Sequence, residues 1–173
     1  GDRLIVVDEK GNEIDGDNII ALFAKELISS KKLKKNSVVT TVMSNLGFEI
    51  YLKEKLGVKL IRENVGDINV ISNMKKNSYN LGGEQSGHII LGQYMNTGDA
   101  ILAAIKVIES LSKSNTKASN LFKLFKKFPQ NKQNIKLNNE LTKIQQNKIK
   151  NICLMYEKKY KNLRFLVRKS GTE

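Results

Sequence analysis

Seven consecutive residues, Gly82-Gly83-Glu84-Gln85-Ser86-Gly87-His88, bring together three glycines, a carboxylate, an amide, a hydroxyl and the chain's single histidine. Glycine lets backbone approach a ligand closely, and these polar groups can donate to or accept from hydroxyl groups. Short apolar runs flank the stretch, residues 79–81 and 89–91, and both read as strands. That makes it a polar loop held between rigid elements, a common setting for ligand contacts. Taken alone, a glycine-rich β-turn explains the same residues equally well.

Four further polar clusters could carry chemistry. Gly1-Asp2-Arg3 offers a carboxylate and a guanidinium just before an apolar run. One carboxylate does not make a Mg²⁺ site, which needs several oxygens. Thr41-Val42-Met43-Ser44-Asn45 and Val65-Gly66-Asp67 follow predicted strands. Ligands gather at the carboxyl ends of strands in open parallel sheets, but Ser44, Asn45 and Asp67 serve equally as helix caps. Arg168-Lys169-Ser170-Gly171-Thr172-Glu173 combines a cation, two hydroxyls and a glycine. That set suits a phosphate nest, or an exposed polar turn.

The elements that would position these clusters alternate. Residues 3–8 (RLIVVD) read as a buried strand and residues 9–12 as a turn. Asp15 or Asp17 caps a helix over residues 18–29, whose apolar positions recur at helical spacing. Residues 37–42 form a β-branched strand, 45–56 a helix stopped by Gly57, and 58–61 the next strand. A helix follows over 67–76. Asp99 caps another through Leu111, with Ile101, Ile105 and Ile108 in register. Residues 112–120 read as a polar connection and 121–128 as a short amphipathic helix. Beyond the lone proline, Pro129, come a strand (134–137), a long helix (140–159) and a strand (164–168). The expected fold is α/β, a layered mixed or parallel sheet with helices on both faces, followed by part of a smaller α+β domain.

Composition narrows the class. The 173 residues are 40% hydrophobic, enough for a packed core, and hold no apolar run long enough to span a membrane. The single cysteine, Cys153, excludes an internal disulfide framework, and a cytoplasmic location fits. A net charge of +13 points towards nucleic acid, but the lysines are scattered and no aromatics interleave with them. The densest run, Lys31-Lys32-Leu33-Lys34-Lys35, lies where a helix ends and complements its dipole. Nucleic acid and membrane are therefore not expected partners. The positive charge would help attract an anionic substrate such as a sugar phosphate, and a homodimer is left open.

Taken together and in order, these pieces resemble the α-D-phosphohexomutase superfamily, and within it the phosphoglucosamine mutase branch. Gly1-Asp2-Arg3 is similar to the end of that family's metal loop. Thr41 to Asn45, Val65 to Asp67, and Thr97-Gly98-Asp99 each have a counterpart. Gly83 to His88 matches the family's sugar loop without substitution, and Arg168 to Glu173 its phosphate loop. The resemblance is collinear over the whole chain. It implies that residues 1–13 end a metal-loop domain, 14–128 are a sugar-binding domain, and 129–173 are part of a phosphate-binding domain. It implies interconversion of glucosamine 6-phosphate and glucosamine 1-phosphate through a phosphoserine and a 1,6-bisphosphate. Mg²⁺ would be the cofactor, with glucose- or glucosamine-1,6-bisphosphate as activator. Asp2 would be a metal ligand, and Arg3 would lie beside the phosphoserine. Glu84, Ser86, His88 and Asp67 would bind substrate, and Arg168, Ser170, Gly171 and Thr172 would hold phosphate. A phosphoglucomutase or phosphomannomutase is the alternative, and a basic nucleic-acid-binding module is the alternative of a different class.

The chain departs from that pattern in three places. Ile68-Asn69 stands where the branch continues with Arg-Tyr, and Lys169 stands where proline is common. The family's reactive serine precedes His-Asn, and the only histidine here is His88. The 173-residue polypeptide by itself is therefore expected to show no mutase turnover in a coupled assay with glucosamine 6-phosphate. Measurable turnover would sink that expectation.

Overall fold

The computed structural model describes residues 1–137, 139–160 and 162–169. The chain divides into two compact units, Gly1–Phe128 and Pro129–Glu173. The first unit runs β1 (Val6–Val7), β2 (Glu13–Ile14), α1 (Gly16–Ser29), β3 (Ser37–Thr41), α2 (Leu46–Leu56), β4 (Lys59–Glu63) and α3 (Asp67–Asn77). It continues through β5 (Leu81–Gly83), β6 (Ile89–Leu91), α4 (Ala100–Ser114) and α5 (Ala118–Leu121).

Strand order in the main sheet is β4-β3-β5-β6. β3 runs parallel to both neighbours, and β6 returns antiparallel to β5 across the Glu84 loop. β-branched residues fill β3, whose five positions are all buried, as a strand covered on both faces requires. Alternation sorts its side chains between two layers. Val38 faces a core built from α1, α2 and α4, with Ile19, Phe23, Phe48, Leu52, Ala103 and Val107. Val39 faces Val70 and Met74 of α3, with Ile90. Helices thus cover both faces of a mixed sheet, as the sequence implied.

Local signals set the element ends. Asp15, rather than Asp17, caps α1, its carboxylate accepting from Asn18 N–H at 3.2 Å. Asn45 caps α2 in the same way, accepting from Gly47 N–H at 2.8 Å, and Gly57 ends it in the left-handed conformation. α1 is apolar nearly all round because it lies beneath its neighbours, with Ile19, Ile20, Ala21, Leu22, Phe23 and Ala24 all buried.

Several expectations change. Residues 3–8 do not form a buried strand. Only Val6–Val7 pairs, with β2, as a two-stranded ribbon, and Ile5 and Val7 stand exposed because nothing among the described residues covers that face. The strand before the Glu84 loop begins two residues later than expected. α4 has the expected helical period on the opposite face. Ile101, Ile105 and Ile108 are exposed, while Ala103 and Val107 pack, because small residues let the helix lie close to the sheet. The helix expected over 121–128 is instead α5, ending at Leu121. Beyond it residues 122–125 turn, and Phe128 is captured by the Asn45 side chain.

In the second unit, α6 (Lys143–Lys159) begins at a reciprocal capping box between Thr142 and Gln145 rather than at residue 140. The strands expected at 134–137 and 164–168 do not form. A strand needs a partner for its ladder, and neither segment has one among the described residues. Phe165 turns back on the helix instead, its N–H donating to Glu157 and its ring meeting Tyr156. No helix among the described residues is long and apolar enough to cross a membrane.

Phe48 is fully buried, and its ring lies 5.7 Å from that of Phe125. Phe48→Ala should cost about 3–5 kcal/mol of the first unit's stability, read from urea denaturation of that unit's amide resonances. A loss below 1 kcal/mol would mean that the aromatic packing is not a central support.

Candidate functional site

The loop between β5 and β6 is fastened from three directions. Within it, Glu84 N–H donates to His88 O at 2.9 Å and Gly87 N–H to Glu84 O at 3.1 Å. The N-terminal segment reaches it through Leu4 N–H to Gly87 O at 3.0 Å. The first turn of α1 reaches it through Gly16 N–H to Gln85 O at 2.9 Å. Gly83 and Gly87 have φ of 151° and 92°, which side chains rarely adopt, so their glycines are geometric necessities.

Side chains extend the fastening. Glu84 is buried, and one carboxylate oxygen accepts from Gly66 N–H at 3.2 Å, joining the loop to the N-terminus of α3. The other oxygen takes no hydrogen bond among the described residues. Asp67, next to Gly66, turns its own carboxylate to Ile68 N–H at 2.8 Å. The Gln85 amide donates to Asp15 at 3.2 Å, and Lys127 pairs with the same carboxylate oxygen at 2.8 Å. Ser86 stands exposed at the tip.

His88 is a buried wedge. Its Nδ1 lies 3.4 Å from the Asp2 carboxylate. Its Nε2 has no hydrogen-bond partner among the described residues, because Gly98 packs flat against the ring. A side chain at residue 98 would overlap the imidazole. The Thr97-Gly98-Asp99 element thus does two jobs. Gly98 admits the ring, and Asp99 caps α4 by accepting from Leu102 N–H at 2.9 Å.

The geometry therefore gathers Asp2, Glu84, Ser86, His88 and Asp67 around the carboxyl end of β5 and the start of α3. Arg3 is exposed in the same N-terminal segment. Arg168 belongs to the second unit, where its guanidinium reaches Lys169 O at 3.4 Å. Ser170, Gly171 and Thr172 lie outside the described residues.

Mg²⁺ does not fit what is present. Among the described residues no three histidine, cysteine, aspartate or glutamate side chains gather into a group that could hold a metal ion. Asp2 supplies one carboxylate, already engaged by His88, against the six oxygens that the ion requires.

A second network lies beneath the Thr41–Asn45 turn. Asp17 is fully buried, and its carboxylate accepts from Asn45 N–H at 2.7 Å. Arg62 donates to Ser44 O at 2.8 Å and pairs with Glu49 at 2.8 Å. The Asn45 side chain grips Phe128 reciprocally, donating to its carbonyl and accepting from its N–H, both at 2.9 Å. Sequence reasoning missed Asp17 and Arg62 as positioning residues. An aspartate in a first helical turn looks like a dipole partner, and an arginine on an edge strand looks like a solvated side chain.

Burial pushes the Asp17 carboxyl up to about 6, outweighing the Asn45 N–H, Ser44 and Arg62, which favour its charge. A raised folded value means that the folded state holds the proton more tightly. The stability is then fully present below the unfolded value and is lost as pH rises through about 6. Asp17→Asn should therefore gain on the native chain by on the order of 3 kcal/mol between pH 4 and pH 7. Urea denaturation of both proteins across that range checks it. A constant difference would mean that Asp17 stays charged throughout.

Comparison with known proteins agrees with this fold. A model of phosphoglucomutase/phosphomannomutase alpha/beta/alpha domain III matches residues 15–128. The chain is 46% identical to the phosphoglucosamine mutase of Thermodesulfovibrio yellowstonii, covering 99% of this chain and 39% of that protein. It is 45% identical to that of Bacillus subtilis, covering 100% and 39%. It therefore spans about two-fifths of the length of these curated relatives. A phosphoglucomutase/phosphomannomutase family protein from Burkholderia thailandensis superposes with a TM-score of 0.65 at 25% identity, over 72% of this chain and 27% of that one. N-acetylphosphoglucosamine mutase of Aspergillus fumigatus, solved with GlcNAc-6P and magnesium, shares the fold at a TM-score of 0.59 and 20% identity, over 74% and 34%. With domain III matched over most of its length, the chain belongs to the phosphoglucomutase/phosphomannomutase family.

Proposed function

We propose that the chain supplies the sugar-reading part of a phosphoglucosamine mutase, which interconverts glucosamine 6-phosphate and glucosamine 1-phosphate in the cytoplasm. The observation that carries this reading is the Glu84 loop. It presents a buried carboxylate with one oxygen fixed by Gly66 N–H and the other without a hydrogen bond among the described residues, beside an exposed Ser86 hydroxyl.

A carboxylate fixed in this way accepts two sugar hydroxyl hydrogens without losing side-chain freedom on binding, and Ser86 can donate or accept at the rim. His88 shapes the loop from behind and holds Asp2 near it. Asp67 lies at the first turn of α3, beside the backbone that holds Glu84. We assign Arg3 to the phosphoseryl group that donates and recovers the phosphoryl. Asp2 is assigned as one ligand of a metal whose other ligands this segment does not gather. Arg168, with Ser170, Gly171 and Thr172, is assigned to the phosphate that is not reacting. Holding the non-reacting phosphate would let a 1,6-bisphosphate be bound in either orientation and return either phosphoryl group. The same reading places the domain limits at residues 1–13, 14–128 and 129–173.

The identity of 42–48% to proteins named phosphoglucosamine mutase supports glucosamine over glucose or mannose. Replacing the aligned 174-residue stretch of the Bacillus subtilis enzyme with this chain should give a chimera active on glucosamine 6-phosphate. Glu84→Ala in that chimera should lower kcat/KM about 100-fold or more, as expected for a lost charged contact in the transition state. Preference for glucose or mannose 6-phosphate would transfer the assignment to the phosphoglucomutase or phosphomannomutase reading. An inactive chimera is separated from a misfolded one by titrating the 173-residue chain with glucosamine 6-phosphate and following the Glu84 loop amides.

A further inference from the structure

The end of the sheet remote from the Glu84 loop carries a concentration of unpaired positive charge. β3 and β4 begin there, with Ser37 opposite Lys59, and α1, α2 and α3 end there. Lys31, Lys32, Lys34 and Lys35 follow α1, Lys53 and Lys55 lie in the last turn of α2, and Lys75 and Lys76 in that of α3. None of these lysines, nor Lys59, forms an ion pair among the described residues.

Cations at helix C-termini complement the macrodipole, and the sequence alone suggested that role for the Lys31–Lys35 run. The magnitudes do not match. Three helix ends contribute about −0.5 each, and Glu26 and Glu54 are the acids nearest those ends in sequence. A surplus of roughly +5 remains after both terms.

Two of these lysines, Lys34 and Lys75, line a cavity of about 270 Å³. Lys34 and Lys75 enter its lining from separate elements, with Ser78, Asn80 and Asn96 between them and no acidic side chain. Its frame is stiff. Asn80 is buried, its amide donating to Lys32 O and its carbonyl accepting from Lys34 N–H, both at 2.9 Å. Lys35 lies over one face of the Tyr79 ring at 5.7 Å, the one aromatic among the described residues of that lining. Ammonium groups with hydroxyl and amide donors suit a compact, multiply charged oxyanion. A single aromatic ring, already covered on one face by a lysine, is a poor stacking platform for bases.

We propose that this cavity is a phosphoryl-binding site for a small phosphorylated metabolite, at the opposite ends of the strands from the Glu84 loop. It is independent of the sugar-reading assignment. The test is an amide-shift titration of the 173-residue chain with inorganic phosphate at constant ionic strength, set against chloride. Saturating shifts are expected at Ser78, Asn80, Gly92 and Asn96. Lys34→Met with Lys75→Met should weaken phosphate binding about tenfold or more. Lys113→Met with Lys117→Met, exposed elsewhere, should leave it unchanged. Equal loss in the two double variants, or shifts that chloride reproduces, would overturn the site. Binding of a single-stranded oligonucleotide without saturable phosphate binding would also overturn it, in favour of a backbone-docking surface. All four lysines are exposed, so native amide dispersion in each variant separates lost binding from lost fold.

Discussion

The first turn of α1 and the Glu84 loop share a stretch of bare backbone contact, and the candidate site depends on it. Gly16 lies so close to the loop that a methyl group there would overlap the Glu84 carbonyl. Gly87 meets the backbone of Leu4 as closely. Backbone groups at such range can only hydrogen-bond or clash, so the loop has one seat. Every polar side chain in it inherits its position from that seat. Asp15 then performs two tasks from one place, capping the helix with one oxygen and holding Gln85 with the other. Helix formation and loop placement are consequently a single event, and the apolar burial that stabilises α1 also fixes Glu84.

The sequence made the first unit legible because its signals were local. The β-branched run at residues 37–41, the Asn45 and Asp99 caps, and Gly57 as a stop each carry their meaning within a few residues. The Glu84 loop was legible for a similar reason, since its glycines mark unusual backbone. What stayed hidden depends on distant partners. A helical period shows that Ile101, Ile105 and Ile108 share a face, but not that Ala103 and Val107 are the ones that pack. The segments at 134–137 and 164–168 have strand-like composition, yet pairing depends on a neighbour that composition does not contain. The buried Asp17 gave no signal because the groups that favour its charge, Asn45 and Arg62, lie 28 and 45 residues away in sequence.

Charge is divided along the strands. At their carboxyl ends the polar groups are mainly carboxylates and amides held in hydrogen bonds. At their amino ends the polar groups are mobile ammoniums with few fixed partners. Parallel strands make this division natural, because each helix returns its C-terminus to the end where the next strand starts. Lysine-rich helix ends therefore accumulate at one pole, and short chemical loops at the other.

Asn45 and Phe128 lie 83 residues apart in sequence and are joined by two hydrogen bonds. Closing a loop of that size costs an unfolded chain about 4–5 kcal/mol of entropy. Two hydrogen bonds return about 1 kcal/mol each, which is too little to close it. The clasp can therefore form only after the core has brought its ends together. It acts as a latch that the folded body sets rather than a tie that folds it, and its closure marks the first unit as complete.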